Sequence, residues 1–149
     1  MQTRRIYLDN CCFNRPYDDQ TYKTIHLETE AKLYTQDCIR SGLLELVWSF
    51  ILDFENSVNP YKERKEAIKE WRLISVHNVK ASDTIRNYGK EIESSYKLKP
   101  KDALHLACAI EAKCEYLLTT DKFFIKKTSM LDKIVVVNPL DFISILEER

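Results

Sequence analysis

Three observations predict an α/β fold for this 149-residue chain, a three-layer α/β/α arrangement with a central parallel sheet of four to five strands. Short apolar segments alternate with longer amphipathic ones along almost the whole length. Each apolar segment is brief enough to be a strand buried on both faces. No internal repeat, low-complexity segment or linker interrupts the pattern, so residues 1–149 are expected to form a single domain.

The elements follow in order. "RIYL" (5–8) is expected as a strand and the polar "NCCFNRPYDDQ" after it as a loop. From Thr21 to about Ser41, Leu27, Ala31, Tyr34 and Cys38 recur at helical spacing, and Gly42 supplies the stop. "LLELVW" (43–48) is the second strand and "SFILDFENSV" (49–58) a helix ending near Pro60. "YKERKEAIKEWR" (61–72) is a charged helix with opposite signs one turn apart, followed by "LISV" (73–76) as the third strand. Ile85, Tyr88, Ile92 and Tyr96 mark another helix. Pro100 opens "PKDALHLACAIEAK", apolar nearly all round and therefore expected to be buried. "EYLLTTD" (115–121) and "KIVVV" (133–137) complete the strands, and a last helix follows Pro139.

In parallel sheets of this kind ligands gather beyond the carboxyl ends of the strands. Asp9 follows "RIYL" and Asp121 follows "YLLTT", so both are expected on one rim. A helix N-cap explains either residue equally well by residue type. Asp9 fits that explanation poorly, because its next helix is expected only near Thr21. Asp102 falls in the first turn of the buried helix, where the helix dipole favours an anion. In the helix after the second strand, Phe50, Ile51, Phe54 and Val58 define an apolar side. Glu55 lies roughly 70° from its centre and Asp53 about 130°. Asp53 is expected to be solvated, whereas Glu55 borders the core and needs a partner.

Were these acids to converge, two carboxylates about 4 Å apart would repel by roughly 4 kcal/mol at an effective dielectric near 20. Such a cluster must take up protons or cations. An all-oxygen set suits hard Mg²⁺ or Mn²⁺ rather than zinc. A pair of such ions can activate a water and stabilise the departing oxygen of a phosphodiester.

Composition narrows the classes. Twenty-three basic and 23 acidic residues balance, so no global positive field announces nucleic acid, and any polyanion must be held locally. Only Gly42 and Gly89 occur, which excludes the Gly-rich dinucleotide fingerprint and the P-loop. Five cysteines without a Cys-x-x-Cys pair suit a reducing compartment better than a disulfide framework. The opening "MQTRRIYLDN" has no apolar signal core and no stretch is long enough to span a bilayer. A soluble cytoplasmic protein with no membrane partner is expected.

Taken together, "IYLDNCCFNRPYDDQ", "SFILDFEN", "KPKDALHLACA" and "YLLTTDKFF" resemble the PIN-domain nucleases, the fold of many prokaryotic toxin ribonucleases of the VapC type. The likeness runs from Arg5 to about Val137. It implies metal-dependent cleavage of RNA by an activated water, leaving a 5′-phosphate. Carried over by motif, Asp9, Glu55, Asp102 and Asp121 correspond to the family's four acids, as catalytic residues and ligands for Mg²⁺ or Mn²⁺. The family commonly has Ser or Thr after the first acid. Asn10 stands there instead, with an amide oxygen able to orient a water or phosphate. The resemblance also implies a small antitoxin protein as inhibitor and a homodimer.

Substrate contacts are then expected from residues beside the acids. Lys97, Lys99 and Lys101 lead into Asp102, and Lys122, Lys126 and Lys127 trail Asp121. Lysines of this sort position phosphates without reading sequence, though such runs are also ordinary solvated faces. Arg15 and Tyr17 could hold a phosphate and stack a base, or simply serve a turn around Pro16. His105 and Cys108 share a helix at ligand spacing but lack a second pair, and are expected to be buried and idle. Two other readings stand beside the nuclease. One is a PIN-like module that binds RNA or protein without cutting. The other is a phosphomonoesterase with Asp9 as nucleophile, disfavoured because Cys11 occupies the place of the second Asp in the haloacid-dehalogenase arrangement.

Overall fold

The structure, a computed structural model, describes residues 4–148, so the extreme ends of the expected 1–149 domain lie outside the described residues. The chain runs β1 (Arg4–Leu8), α1 (Asn10–Asn14), a 3-10 turn (Arg15–Tyr17), α2 (Lys23–Arg40), β2 (Leu44–Ser49), α3 (Phe50–Ser57) and α4 (Lys62–Ile74). It continues through β3 (His77–Val79), α5 (Asp83–Tyr96), α6 (Pro100–Glu111), β4 (Tyr116–Leu118), α7 (Lys122–Lys127), β5 (Val135–Val137) and α8 (Pro139–Glu147). The five strands form one sheet in the order β3-β2-β1-β4-β5, parallel at every pairing. This is the α/β architecture that the alternation predicts.

Consecutive residues Ile6, Tyr7 and Leu8 are all fully buried, and because side chains alternate across a strand, both faces of β1 must be covered. Helix α6 supplies part of that cover. Ala103, Leu106, Ala107, Cys108 and Ala109 are completely inaccessible, as its all-round apolar character requires. Its neighbour α5 comes close at Gly89, where a Cβ would stand 3.0 Å from Leu104 Cδ2. Burying a side chain the size of Leu106 contributes about 1.5–3 kcal/mol of transfer free energy, and each alanine methyl a fraction of that.

Chain order reverses direction across the sheet between β1 and β4. From β1 the chain fills β2 and β3 on one side, then returns to lay β4 and β5 on the other. A crevice therefore opens beyond the carboxyl ends of β1 and β4. The register Leu8↔Leu118 sets Asp9 beside Thr119, and the Asp9 N–H donates to the Leu118 carbonyl at 2.9 Å.

Five expectations are corrected. The segment after β1 is helical: Asp9 caps α1, whose Cys12 and Phe13 are buried, with Phe13 edge-on to Trp48 at 5.3 Å. A five-residue helix is too short to show a period. "LISV" is not a strand; α4 runs on through Ile74, Leu73 is 85% exposed, and β3 begins at His77. A short apolar run does not distinguish the end of a helix from a strand. In α2, Leu27 and Tyr34 are exposed, while Glu28, Ala31, Lys32, Thr35, Gln36 and Cys38 turn inward. In α3 the buried side is Ile51, Leu52 and Asn56, with Phe54 and Val58 exposed. Asp53 is not simply solvated, since it accepts from the indole N–H of the fully buried Trp48 at 2.8 Å. An indole donor that deep needs an acceptor.

Candidate active site

Asp9, Glu55, Asp102 and Asp121 line one cavity of about 370 Å³ at the switch point, together with Asn10, Cys11, Asn14 and Asp18. Each acid arrives by a different device. Asp9 leaves β1 in extended conformation and caps α1, its Oδ1 accepting from the Asn10 N–H at 2.7 Å. Its Oδ2 accepts from the buried Thr119 hydroxyl at 2.9 Å, with the Cys11 thiol at 3.5 Å. These contacts hold a carboxylate that is 6% exposed in one orientation. Asp121 caps α7 with a single oxygen, Oδ1, which accepts from the Phe123 and Phe124 N–H groups at 2.9 and 3.2 Å. The capping explanation and the rim explanation are thus both true of it, since one oxygen serves the helix while the residue still lines the cavity.

Asp102 sits in the first turn of α6 behind Pro100. Burial, then the charges of Asp9 and Asp121, raise its pKa to about 6, against the partial relief of His105 and Lys99. Burial is the larger cause, and the neighbouring carboxylates add to it. Glu55 comes from α3, whose first turn is capped by Ser49 Oγ. Its partner is His105, whose Nε2 hydrogen-bonds Glu55 Oε1 and lies 3.5 Å from Asp9 Oδ1.

His105 is therefore not idle, although it is as buried as expected, at 1% exposed. Burial alone would lower its pKa; the Glu55 hydrogen bond and the charges of Asp9, Glu55 and Asp102 outweigh that and raise it. Its Nε2 hydrogen-bonds Glu55 and its Nδ1 hydrogen-bonds the Tyr7 hydroxyl, 2.5 Å away. Burial holds the Tyr7 phenol well above its usual pKa, so it stays protonated and donates onward to Ser49 Oγ at 2.6 Å. A chain of hydrogen bonds thus ties Glu55 to the core of β1 and β2. Cys108 takes no ligand-like place beside His105; burial pushes its thiol up to about 12.

The remaining substrate candidates fall at the margins. Asn10 lines the cavity, and its buried Oδ1 has no hydrogen-bond partner. Lys101 is exposed, with Nζ 5.3 Å from the Phe54 ring centroid. Lys122 is exposed and lines a separate depression with Glu28 and Asn138. The Arg15 guanidinium is engaged by Glu28 at 2.8 and 3.0 Å and by Asp18 at 3.0 Å. Sequence reasoning missed Thr119, Cys11 and His105 as neighbours of the acids. Thr119 alone left a trace, since two aligned parallel strands bring the residues after Leu8 and Leu118 together.

Chemically, the cavity offers a dense set of carboxylate oxygens. Asp9, Glu55 and His105 present candidate ligand atoms that all lie within 4.8 Å of one another. The crowding that raises Asp102 is relieved by a cation, and an oxygen donor set fits a hard divalent one. The His105 nitrogen already serves Glu55, so it fits better as a support for a ligand than as a ligand itself.

Residues 6–129 match the family model described as PIN domain. The crystal structure of VapBC2 from Rickettsia felis, bound to a DNA fragment from their promoter, is similar in fold. It aligns with a TM-score of 0.53 and 16% identity, covering 90% of this chain and 98% of that chain. No curated protein matches. Among the described residues no helix is long and apolar enough to cross a membrane.

Proposed function

The chain belongs to the PIN-domain family, and on that premise we propose that it is a Mg²⁺- or Mn²⁺-dependent endoribonuclease. The observation that carries this reading is the shared cavity of Asp9, Glu55, Asp102 and Asp121, where burial first and the charges of Asp9 and Asp121 second raise the Asp102 pKa to about 6. Asp9 and Asp102 are the main metal ligands; Glu55 and Asp121 complete a second position or orient the attacking water. The metal, when bound, neutralises the carboxylates and polarises the phosphate and the water.

The chain's own residues do the rest. Thr119 and the Asn10 N–H fix Asp9. His105, braced by Tyr7, fixes Glu55. Asn10 offers an unengaged amide oxygen to the attacking water, and Lys101 and Lys122 supply positive charge near the rim, while Arg15, already held by Glu28 and Asp18, steadies the adjoining turn. Water oxygen bonds to phosphorus as the bond to the 3′ oxygen breaks, and one water proton ends on that oxygen. The products are a 5′-phosphate and a 3′-hydroxyl.

The VapBC2 likeness supports placing the protein in a toxin–antitoxin pair, restrained by a small antitoxin protein; a homodimer is part of the same proposal and rests on the family resemblance alone. Residues 1–149 act as one domain, in the cytoplasm, where the five free cysteines stay reduced. The deciding experiment incubates mixed RNAs with the protein in Mg²⁺, Mn²⁺ or EDTA, beside Asp9→Asn. Metal-dependent products from the wild type alone support the proposal. RNA bound in EDTA with no product at any metal concentration replaces it with a non-catalytic binding module.

A further inference from the structure

Beyond Glu55 the acid cavity runs into a second depression of about 250 Å³, which shares Asn10, Asn14 and Glu55 with it and ends on Tyr61 and Arg64. The Arg64 guanidinium lies between two aromatic rings, 4.0 Å from the Tyr61 centroid and 4.8 Å from that of Tyr17. Among the described residues it makes no ion pair and no side-chain hydrogen bond. Arg15, by contrast, is consumed by Glu28 and Asp18. Both rings are exposed, Tyr17 by 39% and Tyr61 by 56%.

We infer that Arg64, stacked between Tyr17 and Tyr61, holds a backbone phosphate flanking the scissile one and makes this groove selective for single-stranded RNA. The inference rests on the ribonuclease reading and deepens it. A polyanion entering a cavity walled by carboxylates needs a fixed cation nearby. A guanidinium sandwiched by rings keeps its N–H edges free, and its planar fork suits phosphate oxygens. Exposed tyrosines beside it offer stacking surface to an unpaired base, which a duplex keeps buried in its own stack.

The test measures binding of a labelled RNA oligonucleotide, single-stranded or annealed to its complement, in Mg²⁺, with Asp9→Asn protein to suppress cleavage. Adding Arg64→Gln should weaken single-strand binding by about tenfold and lower the salt slope by about 0.7, the loss of one single-strand phosphate contact. Arg64→Lys should restore the slope but only part of the affinity. In otherwise wild-type enzyme, Arg64→Gln should raise KM and leave kcat nearly unchanged, with an unaltered melting temperature. Equal affinity and slope with and without Arg64, or duplex bound as tightly as single strand, overturns the inference while leaving the nuclease standing. Wild-type protein that neither binds nor cuts RNA refutes the function, and this inference with it.

Discussion

The buried carboxylate of Glu28 and the buried or half-buried carboxylates around the cavity are treated in opposite ways. Glu28, on the inward side of α2, is 2% exposed and fully answered. Arg15 meets Oε1 with two N–H groups, and the Asn138 amide meets Oε2. Those contacts tie α2 to the turn after α1 and to the cap of α8. Around the cavity, Asp9, Glu55, Asp102 and Asp121 face one another, and among the described residues only His105 forms an ion pair with any of them. One group is neutralised by the chain itself. The other retains an excess of negative charge that a bound cation would remove. A carboxylate whose charge is answered internally is structural; one left in excess marks a site.

Mutation should separate the two sharply. Asp9→Asn should reduce cleavage at least about a thousandfold, since losing a metal ligand forfeits several kcal/mol of transition-state stabilisation. Its circular dichroism and denaturation midpoint should stay close to wild type. Glu28→Ala should do the reverse. Removing one partner of a buried pair costs about 3–5 kcal/mol, read as a lower urea midpoint, while cleavage per folded molecule is unchanged. If Glu28→Ala abolished activity in folded protein, the division between the groups would collapse.

A smaller effect is expected at the support of Glu55. His105→Gln should weaken Mg²⁺ binding by roughly 10–100-fold, the usual cost of losing an outer-shell partner, as measured by calorimetry on folded protein.

The mildest effect concerns pH. Asp102 has a folded-state pKa raised to about 6 by burial and by Asp9 and Asp121. Its carboxylate is therefore a burden on the metal-free fold above pH 6, and that burden lifts as pH falls through 6 toward the ordinary carboxyl range. Metal binding runs the other way, because the ligand must be ionised. The rise in melting temperature caused by Mg²⁺ should accordingly be largest at pH 7–8 and shrink by pH 5. Asp102→Asn should raise the metal-free melting temperature by a few degrees and remove most of the Mg²⁺-induced rise. A metal-free melting temperature that falls in Asp102→Asn would show that crowding does not burden this site.

Much of this is legible in the sequence alone. Parallel pairing follows from short two-faced strands between helices, and the burial of α6 from its lack of a polar side. The position of Glu55 beside a buried side of α3 also holds, although Phe54 and Val58 are not part of that side. Elsewhere local signals were too short or too ambiguous. Five residues of α1 carry no period, "LISV" suits a helix end as well as a strand, and the inward turn of Glu28 contradicts its residue type.

Residue order by itself determined most of the strands and longer helices, and that acids would stand at strand ends, because those properties depend on neighbours a few positions away. Only the tertiary structure decided which charges are answered. Arg15 reaches Glu28, His105, braced by Tyr7, reaches Glu55, and Thr119 reaches Asp9. Electrostatic partnership depends on distances of a few ångströms between groups far apart in the chain, and nothing in a linear pattern specifies those distances.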